Sequence, residues 1–440
     1  MNYLPQVLFL AIIATTVYFV WKRVSSISAN IRMGRPIDRS DLKGERFKQM
    51  LLVAFGQKKM FKRIVPAILH LFVYVGFLVI NLEVLEFVLD GILGTHRLFA
   101  PYLGDFYTIA LNIFEFLAVA VIVSCVIFLF RRNVLKLNRF RAQEMTGWPR
   151  LDANLILVIE IVLMVAILTM NSTDQILQSR GTEGYPETGT FLFSALLLPI
   201  FENMGTGALI AIERLAWWFH IIGILAFAVY ITYSKHLHIF LSFPNTYYAS
   251  LKPKTEMANM PEVTQEVKMM LGITQEPMAP QEGEIPRFGA KDVNDLHWKN
   301  LMDAYTCTEC GRCTAECPAN ITGKKLSPRK IMMDTRDRMT EIRQNLNKGE
   351  NGLDDGKSLL DDYITREELN ACTSCAACVE ACPVSIDPLS IILQMRRYVA
   401  MEESKAPAAW NAMFSNIETS FSPWKFSPDD RFKWADDLKE

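Results

Sequence analysis

The chain has 440 residues, 50% of them hydrophobic, with 46 Lys and Arg against 47 Asp and Glu and a formal net charge of −1. That length admits more than one domain, and no folded segment is dominated by basic residues, which excludes a nucleic-acid-binding footprint. The near-neutral total hides a division, because the long apolar runs crowd into the first half and the second half is polar and charged.

Five apolar runs of roughly twenty residues, the length that crosses a bilayer, cover residues 4–21, 64–89, 106–130, 151–170 and 209–233. The first lacks a basic segment before it and a small-residue cleavage site after it, so it reads as a retained span rather than a signal peptide. A shorter run, 191–201, is too short to span and is expected at the interface or as a re-entrant piece. The loop after the first span carries Arg32, Arg35, Arg39, Lys43, Arg46, Lys48, Lys58, Lys59, Lys62 and Arg63, and the loop after the third carries Arg131, Arg132, Lys136, Arg139 and Arg141. The loops after the second and fourth hold mainly Arg97 and Arg180. By the positive-inside rule the N-terminus lies outside and the C-terminus in the cytoplasm, as a multi-pass protein of the inner (cytoplasmic) membrane.

Three of the six histidines, His70, His220 and His238, sit in or at the ends of these runs. An ionisable residue in a span is a functional candidate; the alternative is a histidine hydrogen-bonded to a neighbouring helix. His220 and His238 are 18 residues apart, which on one continuous helix is five turns along a single face and roughly 27 Å of axis. They cannot ligate the same haem, but each suits one of two haems stacked through the bilayer. His70 enters its span at the cytoplasmic end and His238 leaves the last span there, so a bis-histidine haem b fits between them. His236 lies well round the helix and is the weaker candidate. Lys235 is expected to snorkel or to pair with a haem propionate.

From Leu251 to about Glu284 the chain is rich in Pro, Glu, Met and Gln, a linker with a short helix expected over 263–271. Beyond it, eight of the nine cysteines form two copies of C-x2-C-x2-C-x3-C-P: Cys307, Cys310, Cys313, Cys317 and Cys372, Cys375, Cys378, Cys382. This is the bacterial ferredoxin spacing, in which three cysteines of a run hold one [4Fe–4S] cluster and the fourth crosses to the other. Cluster 1 is then held by Cys307, Cys310, Cys313 and Cys382, and cluster 2 by Cys372, Cys375, Cys378 and Cys317. Zinc, the competing reading, usually takes two separated cysteine pairs, and cysteines this close rarely satisfy disulfide geometry. Ser327-Pro328 opens a helix-like run between the motifs, which favours an α-helical ferredoxin. Cys125, alone in an apolar run, is a packing residue.

The fold expected is all-α: a five-span transmembrane bundle of cytochrome b type over 1–250, a linker over 251–287, a cytoplasmic α-helical two-cluster ferredoxin domain over 288–400, and a tail over 401–440 for partner contact. The membrane half resembles the gamma (cytochrome b) subunit of respiratory nitrate reductase on His70, His220 and His238. The cluster half is similar to iron–sulfur subunits of heterodisulfide reductase and anaerobic glycerol-3-phosphate dehydrogenase. The two together look most like membrane-bound electron-transfer-flavoprotein:menaquinone oxidoreductases. That likeness rests also on Gly34-Arg35, on Phe55-Gly56-Gln57-Lys58-Lys59, on Tyr233-Ser234-Lys235-His236-Leu237-His238, and on Ser422-Pro423-Trp424 with Arg431 and Trp434 in the tail.

Two departures matter. The nitrate reductase subunit has a second histidine ten residues after the first, where this chain has Ile80 followed by Asn81. A second haem on His220 would need another partner, with His96 the candidate, or is absent. The oxidoreductases also continue into cysteine-rich CCG domains that this sequence lacks, so a separate CCG-type subunit is expected to supply the catalytic module. The resemblance thus implies an electron-transfer subunit linking a cytoplasmic partner, such as electron-transfer flavoprotein, to menaquinone or another quinone in the lipid bilayer. Two alternatives stay open: a membrane-tethered ferredoxin without haem, and a subunit of a heterodisulfide- or sulfur-reducing complex.

Overall fold

A computed structural model describes residues 3–274, 287–350, 352, 354–436 and 438. Among them the chain forms helices and turns, with isolated bridges but no strand. Five of the described helices are long and apolar enough to cross a membrane: α1 (Leu4–Ile31), α2 (Ile64–Leu93), α3 (Asp105–Asn133), α4 (Trp148–Ser179) and α5 (Thr206–Ile231). Proline in the first turn opens α1 and α4, where its missing N–H costs no helical bond. Gly94, at φ +74°, ends α2 with its N–H on the Asp90 carbonyl.

The bundle core is built from Phe9 of α1, Ile80 and Phe87 of α2, Val121 and Cys125 of α3, Leu163 and Ile167 of α4, and Trp217 and Ile221 of α5. Gly76 lets α2 and α3 approach closely, since a Cβ there would stand 2.7 Å from a Val121 methyl. Residues such as Leu8, Val17, Phe19, Ile109 and Phe116 point outward and are exposed, as a lipid-facing surface requires.

The cluster half docks on the bundle end where α1, α3 and α5 finish and α2 and α4 begin. Ile27, Ile156, Phe227 and Ile231 share one apolar core with Leu301, Tyr305, Ile331 and Met339. That sharing explains why α1 runs ten residues past the expected end of its span. On this extension Asn30, buried, donates to the Tyr305 hydroxyl at 2.7 Å and accepts from Arg343 at 2.8 Å. The cluster half itself is helical, with α7 (Trp298–Thr306), α8 (Pro328–Asn347) and α9 (Pro388–Arg397) following a membrane-proximal α6 (His238–Tyr247). Ser327 caps α8, its hydroxyl accepting from the Lys330 amide. In the linker the helix spans Pro261–Met270, and residues 275–286 lie outside the described set.

The last span departs from the sequence expectation. It does not run on to His238 as one helix, so His220 and His238 do not share a helical face. α5 stops at Ile231, a tight turn covers Lys235–Leu237, and α6 starts afresh at His238. The cause is Asp152 of α4, buried, which accepts from the Tyr230 hydroxyl at 2.5 Å, the Ser234 hydroxyl at 2.6 Å and the Lys235 amide at 3.2 Å. Hydrogen bonds to a charged acceptor contribute about 1.5–3 kcal/mol each, enough to outweigh the helical bonds lost. α4 also runs on past residue 170 to Ser179, where Asn171, Ser172, Thr173 and Asp174 are buried and Asn171 and Asp174 join a polar network with Arg97.

Candidate functional site

The two cysteine motifs form the same backbone turn twice. Glu309 and Gly311 in the first, and Ser374 and Ala376 in the second, all have φ between +54° and +70°. Such left-handed residues reverse the chain tightly enough for neighbouring side chains to converge. At Gly311 a Cβ would stand 2.5 Å from the Arg329 guanidinium, so a side chain there would displace that arginine. Cys307, Cys310, Cys313 and Cys382 line one cavity of ≈ 380 Å³. Cys317, Cys372, Cys375 and Cys378 line a second of ≈ 310 Å³. Each cavity therefore takes three cysteines from one motif and the fourth from the other.

The donor chemistry fits iron–sulfur clusters. Among the described residues no three His, Cys, Asp or Glu side chains converge tightly enough for a single metal ion, whereas a cubane holds each sulfur on a different iron. Backbone amides already point at two sulfurs, Ser374 N at Cys372 Sγ (3.4 Å) and Ile386 N at Cys382 Sγ (3.3 Å). Burial pushes the Cys307 thiol up to about 12 and the Cys382 thiol up to about 11, and raises Cys313 and Cys378 as well. Left empty, such cysteines stay protonated; bound iron supplies the charge that makes them thiolates. The walls differ, since Arg312 and Arg329 line the first cavity and, among the described residues, no charged one lines the second.

Near the first cavity, His70 of α2 and His238 of α6 face each other with ring centres 6.4 Å apart. A metal–imidazole bond of about 2 Å places each ring centre about 3 Å from the metal, so two axial imidazoles stand about 6 Å apart. The pair meets that spacing. His70 Nδ1 bonds Gln57 Oε1 and His238 Nδ1 bonds the Lys235 carbonyl, both at 3.1 Å. Those acceptors fix the tautomer with the proton on Nδ1 and the lone pair on Nε2. His236 packs its ring on Phe227 at 5.5 Å.

His220 stands apart. Its Nδ1 bonds the Leu163 carbonyl at 2.9 Å, its ring neighbour is Phe87, and Nε2 is buried without a hydrogen-bond partner. His96 does not serve as its partner. Nε2 of His96 donates to Asp174 at 3.2 Å and Nδ1 accepts from Arg214 at 2.9 Å, so neither nitrogen is left for a metal. Lys235 is likewise committed elsewhere: its ammonium pairs with Glu309 and donates to the Pro149 carbonyl, rather than waiting for a propionate.

The sequence reading missed the polar network at the far end of the bundle. There Arg97 donates to Asp174 at 2.6 Å and to Asn171 at 2.9 Å, and Tyr107 donates to Glu86 at 2.7 Å. The signal was present, as Glu83, Glu86, Glu115 and Asp174 interrupt or end apolar runs.

Residues 306–386 match the family model described as "4Fe-4S dicluster domain". The chain is 26% identical over 463 aligned residues, 98% of its length, to the "Probable iron-sulfur-binding oxidoreductase FadF" of Bacillus subtilis. It is 26% identical over 430 residues, 91% of its length, to the "EtfAB:quinone oxidoreductase" of Syntrophomonas wolfei. It spans 61% and 55% of the length of those two relatives. A "Probable membrane-anchored ferredoxin" of Chromohalobacter salexigens is 32% identical over 167 residues, 34% of this chain and 24% of that one. No solved structure matches. With the five apolar helices, these matches support a multi-pass membrane protein of the iron–sulfur oxidoreductase class whose dicluster domain serves two [4Fe–4S] clusters.

Proposed function

We propose that this chain is a membrane electron-transfer subunit that links a cytoplasmic redox partner to quinone through two [4Fe–4S] clusters and a haem b. Cys307, Cys310, Cys313 and Cys382 would hold one cluster, Cys317, Cys372, Cys375 and Cys378 the other, and His70 with His238 the haem. These groups supply one-electron chemistry, and the chain's part is to fix and bury them. The observation that carries the reading is the His70–His238 pair at 6.4 Å on the bundle end where the first four-cysteine cavity docks. His220, with Phe87 beside it and no second imidazole, favours one haem over two. The membrane half would then be of nitrate reductase gamma type with a single haem retained. Purified protein should contain about nine irons per chain, about eight of them with acid-labile sulfide, and give a low-spin b-type spectrum in a redox titration. Iron without haem would instead favour the tethered ferredoxin.

Sidedness follows from charge. The basic loops lie on the same bundle end as the cluster half, and the positive-inside rule puts that end in the cytoplasm. A protease added outside intact cells should leave residues 288–440 uncut, and cleavage there would reject the orientation. The tail carries Phe414 and Ile417 of α10 (Ala408–Ser420) together with Phe421, Trp424, Phe432 and Trp434, all exposed. We assign it to contact with the partner, a CCG-type subunit of the kind found with heterodisulfide reductases or an electron-transfer flavoprotein.

A further inference from the structure

We infer that Lys59 and Lys235 are positioning residues that lock the first cysteine cavity, and not the second, onto the His70–His238 pair. The inference rests on the functional reading above, in which that pair holds a haem.

Each histidine is held by a short segment whose lysine also grips the first cavity. On one side Gln57 takes His70 Nδ1, and two residues later Lys59 Nζ donates to the Cys382 carbonyl at 2.8 Å, with the Val379 carbonyl and Ser385 Oγ at 3.4 Å. Arg312 from the cavity wall closes the loop by donating to the Lys59 carbonyl at 3.4 Å. On the other side the Lys235 carbonyl takes His238 Nδ1, while the Lys235 ammonium pairs with Glu309, which lies between Cys307 and Cys310. Arg336 holds the second oxygen of Glu309 at 2.8 Å. Both anchoring points sit on strained backbone, Gln57 at φ +49° and Glu309 at φ +54°. A wide π-type turn over Leu51–Phe55 delivers the chain to Gln57. Strain of this kind persists only where surrounding contacts hold it.

Charge points the same way. Lys59 is half-buried beside Lys254, the atoms it touches at Cys382, Val379 and Ser385 are neutral, and among the described residues no carboxylate forms an ion pair with it. A buried ammonium needs a compensating negative charge. A cluster bound by four thiolates supplies one at the first cavity. Nearby Lys62 and Lys254 are already paired with Glu380.

The test is a redox titration of the full-length, two-cluster protein, followed by EPR and optical spectra. In Lys59→Met the equilibrium constant for reducing one cluster should fall at least tenfold, which is a 59 mV drop for one electron, while the other cluster stays put. Lys59→Arg should restore it, and Lys62→Met, at an exposed ion pair, should leave both steps within twofold of the parent. In Lys59→Met/Lys235→Met the reduced cluster should lose the relaxation enhancement that an oxidised low-spin haem confers at close range. Equal shifts of both clusters, no shift of either, or unchanged relaxation would overturn the inference. A parent protein lacking haem would overturn the functional reading instead, and the Lys59 titration would still decide whether that lysine serves one cluster alone.

Discussion

Alanine at His70 or at His238 is expected to abolish the low-spin b-type spectrum, whereas His236→Ala and His96→Ala keep it. The two critical rings face each other at 6.4 Å, each with Nδ1 bound to an oxygen acceptor and Nε2 left for iron. A low-spin centre with two axial imidazoles cannot survive loss of either, so the effect should be near-complete. His236 lies only 5.5 Å from His238, which makes it the stringent control, but its ring stands nearly perpendicular to that of His238 and packs against Phe227. His96 is consumed by Asp174 and Arg214. Pyridine haemochrome assays on membranes with matched protein content would decide the matter. Full haem retention in His70→Ala would remove the pair from the ligand set. A His236→Ala variant that lost haem as completely as His238→Ala would place the ligand two residues away from where the geometry puts it.

How much of this was legible in the sequence depends on how local the cause is. The cysteine motifs announce themselves because a cubane needs several thiolates from one tight loop, and the apolar runs do so because bilayer thickness fixes their length. The break between Ile231 and His238 could not be read, since the residue that stops the helix is Asp152, on another span. Lys235 was expected to snorkel or to meet a propionate because its partner, Glu309, lies 74 residues along the chain. His96 looked available because nothing local hints that Asp174 and Arg214, from two different helices, take both its nitrogens. Gln57 was visible as part of a family-like segment, but its hold on His70 appears only once the turn after Phe55 brings it back to α2.

Replacing Cys317 with serine should remove the cluster assigned to the second motif and spare that of the first. Cys317 lies ten residues after Cys307 in the sequence, yet it lines the cavity of Cys372, Cys375 and Cys378. Cys382 makes the reverse crossing. The turn after each motif sets this up, because Pro318 and Pro383 direct the chain away from the loop that holds the first three cysteines. Cluster iron should fall from about eight to about four per chain in Cys317→Ser and in Cys382→Ser alike, so the count alone does not separate the two variants. A second substitution does. Adding Cys310→Ser to Cys317→Ser should remove the remaining cluster iron, whereas adding Cys375→Ser instead should leave about four irons per chain in a cluster. If each motif held its own cluster, that pattern would invert, and the crossed assignment would be wrong.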